Sequence, residues 1–271
     1  MHTLDTGTFL GRVPFARIGG GLNPILVING GQGFMMAPDR ERMSKDVSRL
    51  KRLLPNDRSI VLIGYDPSPT TVTVEGLAHD AAEIIDRHLG GRADVMGISY
   101  GGVVAAHLAA RWPEKIDRLI LIASAHRFST EGKRLVRRQI ELVETGDMKG
   151  LLKEFTSMFR NPWLNWLVGL RVCIGGNRML KRLGKPEAIV RYLDAMLRSE
   201  LPGADALPFD SHTLIIGGSR DQFFAEAIIE AASRNCGVRV TILDGDTHMA
   251  PVERATAVNR SIASFLSQTS P

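Results

Sequence analysis

Ser99 lies in the run Asp94-Val95-Met96-Gly97-Ile98-Ser99-Tyr100-Gly101-Gly102. An apolar strand pattern enters G-x-S-x-G, and an apolar helical pattern, Val103 to Ala110, follows at once. Strand, sharp turn and helix in that order present a serine hydroxyl as an exposed nucleophile. The hydroxyl is weak at its free pKa, so it needs a neighbouring base and donors for the oxyanion it creates. The glycines two positions to either side remove Cβ atoms that would crowd so tight a turn. The pentapeptide alone would also suit a buried serine satisfied by a helix N-terminus. The flanking strand and helix favour the nucleophile.

An activated serine requires a base that is itself oriented by a third group. His79, His88 and His107 fall within helical patterns, His2 lies in a tail, and His212 opens a strand at its wrong end. His248 follows the last strand across Asp244-Gly245-Asp246-Thr247, just before the final helix. In a parallel sheet the loops after strand C-termini gather on one edge, where ligands bind. Ser99 and His248 both sit on such loops. His126 also follows a strand end and stays a candidate for touching substrate. The acid by the same logic is Asp221, past the buried strand that ends in Gly217-Gly218-Ser219-Arg220. Asp244 and Asp246 are rivals, but they are close to His248 in sequence and suit a turn beside Gly245. The plain alternatives are an N-cap at Asp221 and a loop histidine capping the last helix at His248.

These loops need strands to hold them. Apolar runs at Pro24–Gly30, Ser59–Gly64, Asp94–Ser99, Arg118–Ala123, His212–Gly218 and Val238–Leu243 read as strands, and Arg12–Ile18 as an earlier, more exposed one. Helical spacing occupies Pro38 to Leu54, Val74 to Leu89, Phe224 to Ser233 and Pro251 to Leu266. Alternation of the two implies right-handed crossovers and a mostly parallel sheet, an α/β architecture. It stops from Phe128 to about Leu207, where only helical patterns occur, and then resumes. The simplest organisation is a core of residues 1–127 and 208–271 with a helical insertion at 128–207.

Composition fits a globular chain of 271 residues with 44% hydrophobic and 23% charged residues. Cys173 and Cys236 form no disulfide framework or metal spacing and read as structural thiols. The N-terminus has neither a charged n-region nor a long apolar run, so no signal peptide and a cytoplasmic location are expected. The net charge is +5, and the insertion holds 14 Lys+Arg against 9 Asp+Glu, which accounts for the whole excess. A solvated helical surface explains this, as does an entrance that attracts anionic groups. No aromatic-interleaved basic motif points to nucleic acid.

The chain order Ser99, Asp221, His248, with Gly97-Ile98-Ser99-Tyr100-Gly101, Gly217-Gly218-Ser219-Arg220-Asp221 and Gly245-Asp246-Thr247-His248, resembles the α/β-hydrolase superfamily from about Val13 to Leu266. The resemblance implies an eight-stranded sheet with helices on both faces and a helical lid after the sixth strand, where residues 128–207 lie. It implies an oxyanion hole from the backbone N–H groups of Tyr100 and of Gly31, in the loop Asn29-Gly30-Gly31-Gln32-Gly33, with Gln32 as the alternate. Many relatives begin that loop with His-Gly, and this chain has Asn-Gly. Relatives often carry a proline a few residues after the acid. Here Gln222-Phe223-Phe224 follows, and the two aromatics suit either a pocket wall or helix-start packing.

The chemistry expected is attack of Ser99 Oγ on a carbonyl carbon, with His248 as base and Asp221 orienting it, then hydrolysis of the acyl-enzyme by water. It requires no metal and no organic cofactor. In the insertion, Leu151, Leu152, Phe155, Met158, Phe159, Trp163, Trp166, Leu167 and Leu170 form a dense apolar stretch. Most of it is expected to be core, and part of it the substrate pocket, drawn from Phe155, Phe159 and Trp163 with Gln32, His126 and Phe223. The expected partner is a small or medium hydrophobic ester. A thioesterase, a lactonase, a C–C bond hydrolase and a non-catalytic ligand-binding member share the same triad. A lipid surface is the remaining alternative for a basic, apolar insertion.

Overall fold

The apolar runs are strands in the computed structural model, which describes residues 4–20, 24–55, 57–155, 158–199, 201, 210, 212–234 and 237–268. The strands are β1 (Leu4–Phe9), β2 (Val13–Ile18), β3 (Ile25–Ile28), β4 (Ile60–Ile63), β5 (Ala93–Ile98), β6 (Ile116–Ile122), β7 (Thr213–Gly218) and β8 (Arg239–Leu243). They form one sheet in the order β1-β2-β4-β3-β5-β6-β7-β8. β2 pairs antiparallel with both β1 and β4, and every other pair is parallel.

The helices are α1 (Gln32–Met35), α2 (Arg40–Leu50), α3 (Val74–His88), α4 (Tyr100–Arg111), α5 (Thr130–Glu144), α6 (Met148–Glu154), α7 (Pro162–Leu180), α8 (Pro186–Arg198), α9 (Ala225–Arg234), α10 (Ala250–Glu253) and α11 (Ala255–Leu266). Their starts follow from side chains that accept free backbone N–H groups. Asp39 caps α2, Thr73 caps α3, Ser129 caps α5, Asp147 caps α6 and Asn161 caps α7. Pro162 and Pro186 open α7 and α8, where a missing N–H costs nothing.

Continuous apolar strands are buried on both faces of the sheet. Leu26, Ile28, Val95, Leu121 and Ile215 face a cluster with α3, α4 and α9. Ile25, Val27, Met96, Ile120 and Ile216 face a second cluster with α2 and α11. Each such side chain contributes about 1.5–3 kcal/mol when fully buried. Val136 and Val143 of α5 and Ile189, Tyr192, Leu193 and Met196 of α8 extend the first cluster beyond the sheet.

Several expectations are corrected. The first strand expected from the sequence begins at Arg12, but Leu4–Phe9, with the sequence Leu-Asp-Thr-Gly-Thr-Phe, forms a largely exposed edge strand before it. β2 is mostly buried rather than exposed, because it lies inside the sheet between β1 and β4, with Ala16 and Ile18 in the cluster that holds α2 and Val13 in the other. The final helix is two helices, α10 and α11, interrupted at Arg254 (φ −122°, ψ 31°). Cys173 is exposed on α7, and Cys236 lies outside the described residues. The boundary expected near residues 207 and 208 also lies outside them. Among the described residues no helix is long and apolar enough to cross a membrane.

Candidate active site

The turn at Ser99 is built by β5, α4 and their neighbours. Ser99 has φ 52° and ψ −121°, a conformation that costs a non-glycine residue free energy and persists only under outside restraint. The restraint is visible. Ser99 N donates to Ile122 O at 2.9 Å, and Ser99 O accepts from Gly102 N at 2.9 Å and from Ser124 Oγ at 2.6 Å. A Cβ at Gly97 would stand 2.4 Å from Gly102 Cα, and one at Gly101 would stand 2.2 Å from Ile28 O. Both glycines are therefore required by space, one on each side of the serine.

Ser99, Asp221 and His248 meet at the C-terminal edge of the sheet. Ser99 Oγ lies 2.8 Å from His248 Nε2, and His248 Nδ1 lies 3.0 Å from Asp221 Oδ2 and 3.1 Å from Oδ1. A carboxylate only accepts, so the ring proton sits on Nδ1 and Nε2 is left to accept from the serine hydroxyl. Asp221 has a fully buried side chain, and its Oδ1 also accepts from the N–H groups of Phe223 at 2.8 Å and Phe224 at 3.0 Å. One carboxylate thus contacts both the histidine ring and the backbone that leads into α9. His248 N donates to Gln222 Oε1 at 3.1 Å, and the ring lies 4.8 Å from that of Phe223 and 5.9 Å from that of Phe224. The two aromatics pack against His248.

The rival acids are engaged elsewhere. Asp244 Oδ1 accepts from Ser219 Oγ, and Asp246 is held by Arg160 and Arg254. These two arginine contacts were not read from the sequence. Thr247 Oγ1 donates to Met158 O at 2.6 Å, and Glu253 accepts from the backbone N–H groups of Arg160 and Asn161. The histidine loop is therefore stitched to the chain that enters α7.

The loop after β3 comes up against the serine turn. A Cβ at Gly30 would touch Ser99 Cβ at 3.4 Å, and one at Gly31 would stand 2.7 Å from the Tyr100 ring. Asn29 shapes this loop: its Oδ1 accepts from Gly30 N at 2.9 Å and its carbonyl accepts from Tyr65 Oη at 2.6 Å. Burial pushes the Tyr65 and Tyr100 hydroxyls far above the ordinary phenol range. The Tyr100 side chain points to Gln139, donating to its Oε1 at 2.8 Å. Its backbone N–H opens α4, where first-turn donors have no partner within the helix.

The remaining expected contacts divide. Phe223 is buried beside His248, while Phe155 is half-buried against the core and Phe159 is half-buried, its N–H donating to Asn165 Oδ1. Gln32 is exposed and its Oε1 accepts from Arg42 at 2.6 Å. His126 is buried with Nε2 3.8 Å from Glu230 Oε2. Trp163 is on the surface, so a substrate-wall position is not what the structure gives it. The apolar stretch expected to be mostly core is split: Leu151, Leu152 and Met158 are buried, while Trp163, Trp166 and Leu170 are exposed. Among the described residues, His79, Asp80 and Glu83 of α3 bring ligand-type atoms within 4.8 Å of one another. Asp80 already accepts from Arg12 at 2.6 Å, and none of the three belongs to the serine site.

A family described as the alpha/beta hydrolase family matches residues 25–261. The chain belongs to the alpha/beta hydrolase family. Among curated members, a Rhizobium rhizogenes protein that carries the name of a carbamate hydrolase is 32% identical over 125 residues, 46% of each chain. The match therefore spans under half of that relative's length. The pimeloyl-[acyl-carrier protein] methyl ester esterase of Neisseria meningitidis is 28% identical over 192 residues, 65% of this chain and 70% of the relative. Among solved structures, the enol-lactonase of Burkholderia xenovorans superposes with a TM-score of 0.75 at 20% identity, covering 97% of this chain and 100% of its own. A hydrolase from Pseudomonas aeruginosa gives 0.73 at 20% identity, with 98% of each chain covered. At such identity the structural likeness is one of fold.

Proposed function

We propose that this chain is a serine hydrolase that cleaves carboxylic esters of small to medium hydrophobic substrates. The observation that carries the reading is the contact of Ser99 Oγ with His248 Nε2 at 2.8 Å, while Asp221 holds the opposite ring nitrogen. Ser99 attacks the carbonyl carbon as its proton passes to His248. Asp221 stabilises the imidazolium. The backbone N–H groups of Tyr100 and Gly31 stabilise the oxyanion. His248 then protonates the departing alcohol, and water repeats the cycle on the acyl-enzyme to release the acid.

Residues 128–207 act as a cap over a core of 1–127 and 208–271, with Phe155, Phe159 and Phe223 as apolar pocket wall. A relative named as a methyl ester esterase supports the ester over other bonds. The test is labelling with a fluorophosphonate probe together with turnover of p-nitrophenyl esters of rising chain length. Labelling at Ser99 with turnover that peaks at short or medium chains is expected. No labelling and no turnover would sink the proposal.

A further inference from the structure

The outer face of α7 is apolar, aromatic and uncovered. Trp163, Trp166, Leu170 and Ile174 are 59%, 62%, 39% and 80% exposed. Their spacing of three, four and four residues sets them in one stripe along the helix. They are half of the large exposed hydrophobics among the described residues, the others being Leu4, Ile229, Ile242 and Val252 on four separate elements or turns. The opposite face of α7 is buried through Val172 and Gly176. A helix that is apolar on both sides is normally covered on both sides. This one is covered by its own chain on one side only.

Charge says what covers the other. From Phe155 to Pro186 the sequence holds six basic residues and no acidic one. Arg171 and Arg178 are exposed and lie one helical step to the side of the Trp163–Ile174 stripe, and Lys181 and Arg182 follow at its end. Exposed tryptophans beside an apolar stripe, bordered by arginines, match the layered chemistry of a bilayer interface, where indole rings sit at the headgroup level and basic side chains meet anionic headgroups. A second protein surface would have to be apolar and acidic at once over the same stripe. The helix is not apolar enough to cross a membrane, so it lies along one.

The position of α7 gives this face a role. Its N-terminal end is fixed to the histidine loop through Arg160–Asp246 and the Glu253 contacts. Its C-terminal end is fixed to α1, just after the Gly31 loop, by Ala37 N donating to Arg182 O, Gly184 N donating to Met35 O, and the Met36–Leu183 bridge. The helix therefore straps the two loops that bound the serine site. We infer that the Trp163–Ile174 face of α7 docks the protein on an anionic lipid surface, with the candidate active site held directly behind the docked helix.

The test uses the full chain with two kinds of vesicle, phosphatidylcholine alone and phosphatidylcholine containing roughly a quarter phosphatidylglycerol. Expected are co-sedimentation with the anionic vesicles at low salt, a blue shift of tryptophan emission, and about tenfold weaker binding in high salt or without phosphatidylglycerol. The variant W166S/I174S should keep its circular dichroism and its thermal transition and lose binding to anionic vesicles. No vesicle binding by the parent chain would overturn the inference, as would binding that the variant retains. A concentration-dependent dimer abolished by W166S/I174S, without vesicle binding, would assign the face to a second copy instead. None of these readouts uses turnover, so failure of the docking surface and failure of the hydrolase reading are separable.

Discussion

Asp246 Oδ1 accepts from Arg160 Nη1 at 3.1 Å, and this carboxylate, 1% exposed, stands two residues before His248. Its Oδ2 accepts from Arg254 Nε at 3.0 Å. A buried carboxylate is tolerated here because a guanidinium meets each oxygen, and the Arg160 contact joins the entry of α7 to the loop that carries His248.

Removing both arginines strands that charge. Arg160→Ala or Arg254→Ala alone should cost about 1 kcal/mol, since each guanidinium is half-exposed and the other remains. The double variant should cost about 3 kcal/mol, more than the sum. Adding Asp246→Asn should recover part of the loss. Urea midpoints at constant slope measure this, and simple additivity would refute a shared ion-pair centre.

Asp221→Asn separates the two tasks of that side chain. The amide oxygen still accepts from Phe223 and Phe224, so the fold and thermal midpoint should hold. The amide no longer selects the Nδ1–H tautomer, and kcat should fall about 10⁴-fold, as such replacements do in triads. Ester turnover and calorimetry on one preparation distinguish this from unfolding.

Glycine positions give opposite signs. Gly101→Ala drives a Cβ to 2.2 Å from Ile28 O and should abolish soluble expression or cost more than about 3 kcal/mol. Gly169→Ala, on α7 with nothing within 4 Å, should stabilise by about 0.5–1 kcal/mol through helix propensity. Thermal melts of the two variants check both directions.

Tyr100→Phe removes the donor to Gln139, a buried side chain whose Nε2 already has no partner among the described residues. The loss should be about 1–3 kcal/mol. Activity should persist, because the proposed oxyanion donor is the backbone N–H. Pairing it with Gln139→Leu should return most of the stability, measured by the same denaturation.

His107 is a pH-sensitive stability element. Burial holds its imidazole below the ordinary histidine range, opposed by Glu75, and its Nε2 lies 2.6 Å from Ser199 Oγ. The unfolded chain takes up the proton near pH ~6.5, and the folded chain only at lower pH. Stability from this site is therefore complete above pH ~6.5 and is lost as pH falls towards the folded value. The parent Tm should drop more steeply than that of His107→Gln between about pH 7 and 5. Equal slopes would contradict this.

The meeting of Ser99, Asp221 and His248 was legible because chemistry and topology constrain it jointly: each follows an apolar run, and parallel strands deliver such positions to one edge. β1 was not legible, since Leu4–Phe9 carries threonines and a glycine with no apolar alternation and exists only by pairing with β2. β2 looked exposed because Pro14 and Arg17 interrupt it, while its burial comes from neighbours distant in sequence. The α7 surface was misread for the converse reason. Composition measures how apolar Trp163 to Leu170 is, and says nothing of whether anything covers it. Asp246 read as a turn former because its partner Arg160 is 86 residues away.

Ser99 and His248 are separated by 149 residues and touch only when the sheet is complete through β8. A ribosome-bound chain that has released β5 and α4 holds the proposed nucleophile without its proposed base. The Ser99–His248 contact thus waits for β8 and the loop after it, and under the proposed function the recovery of ester turnover after denaturation can serve as a clock for closure of that strand.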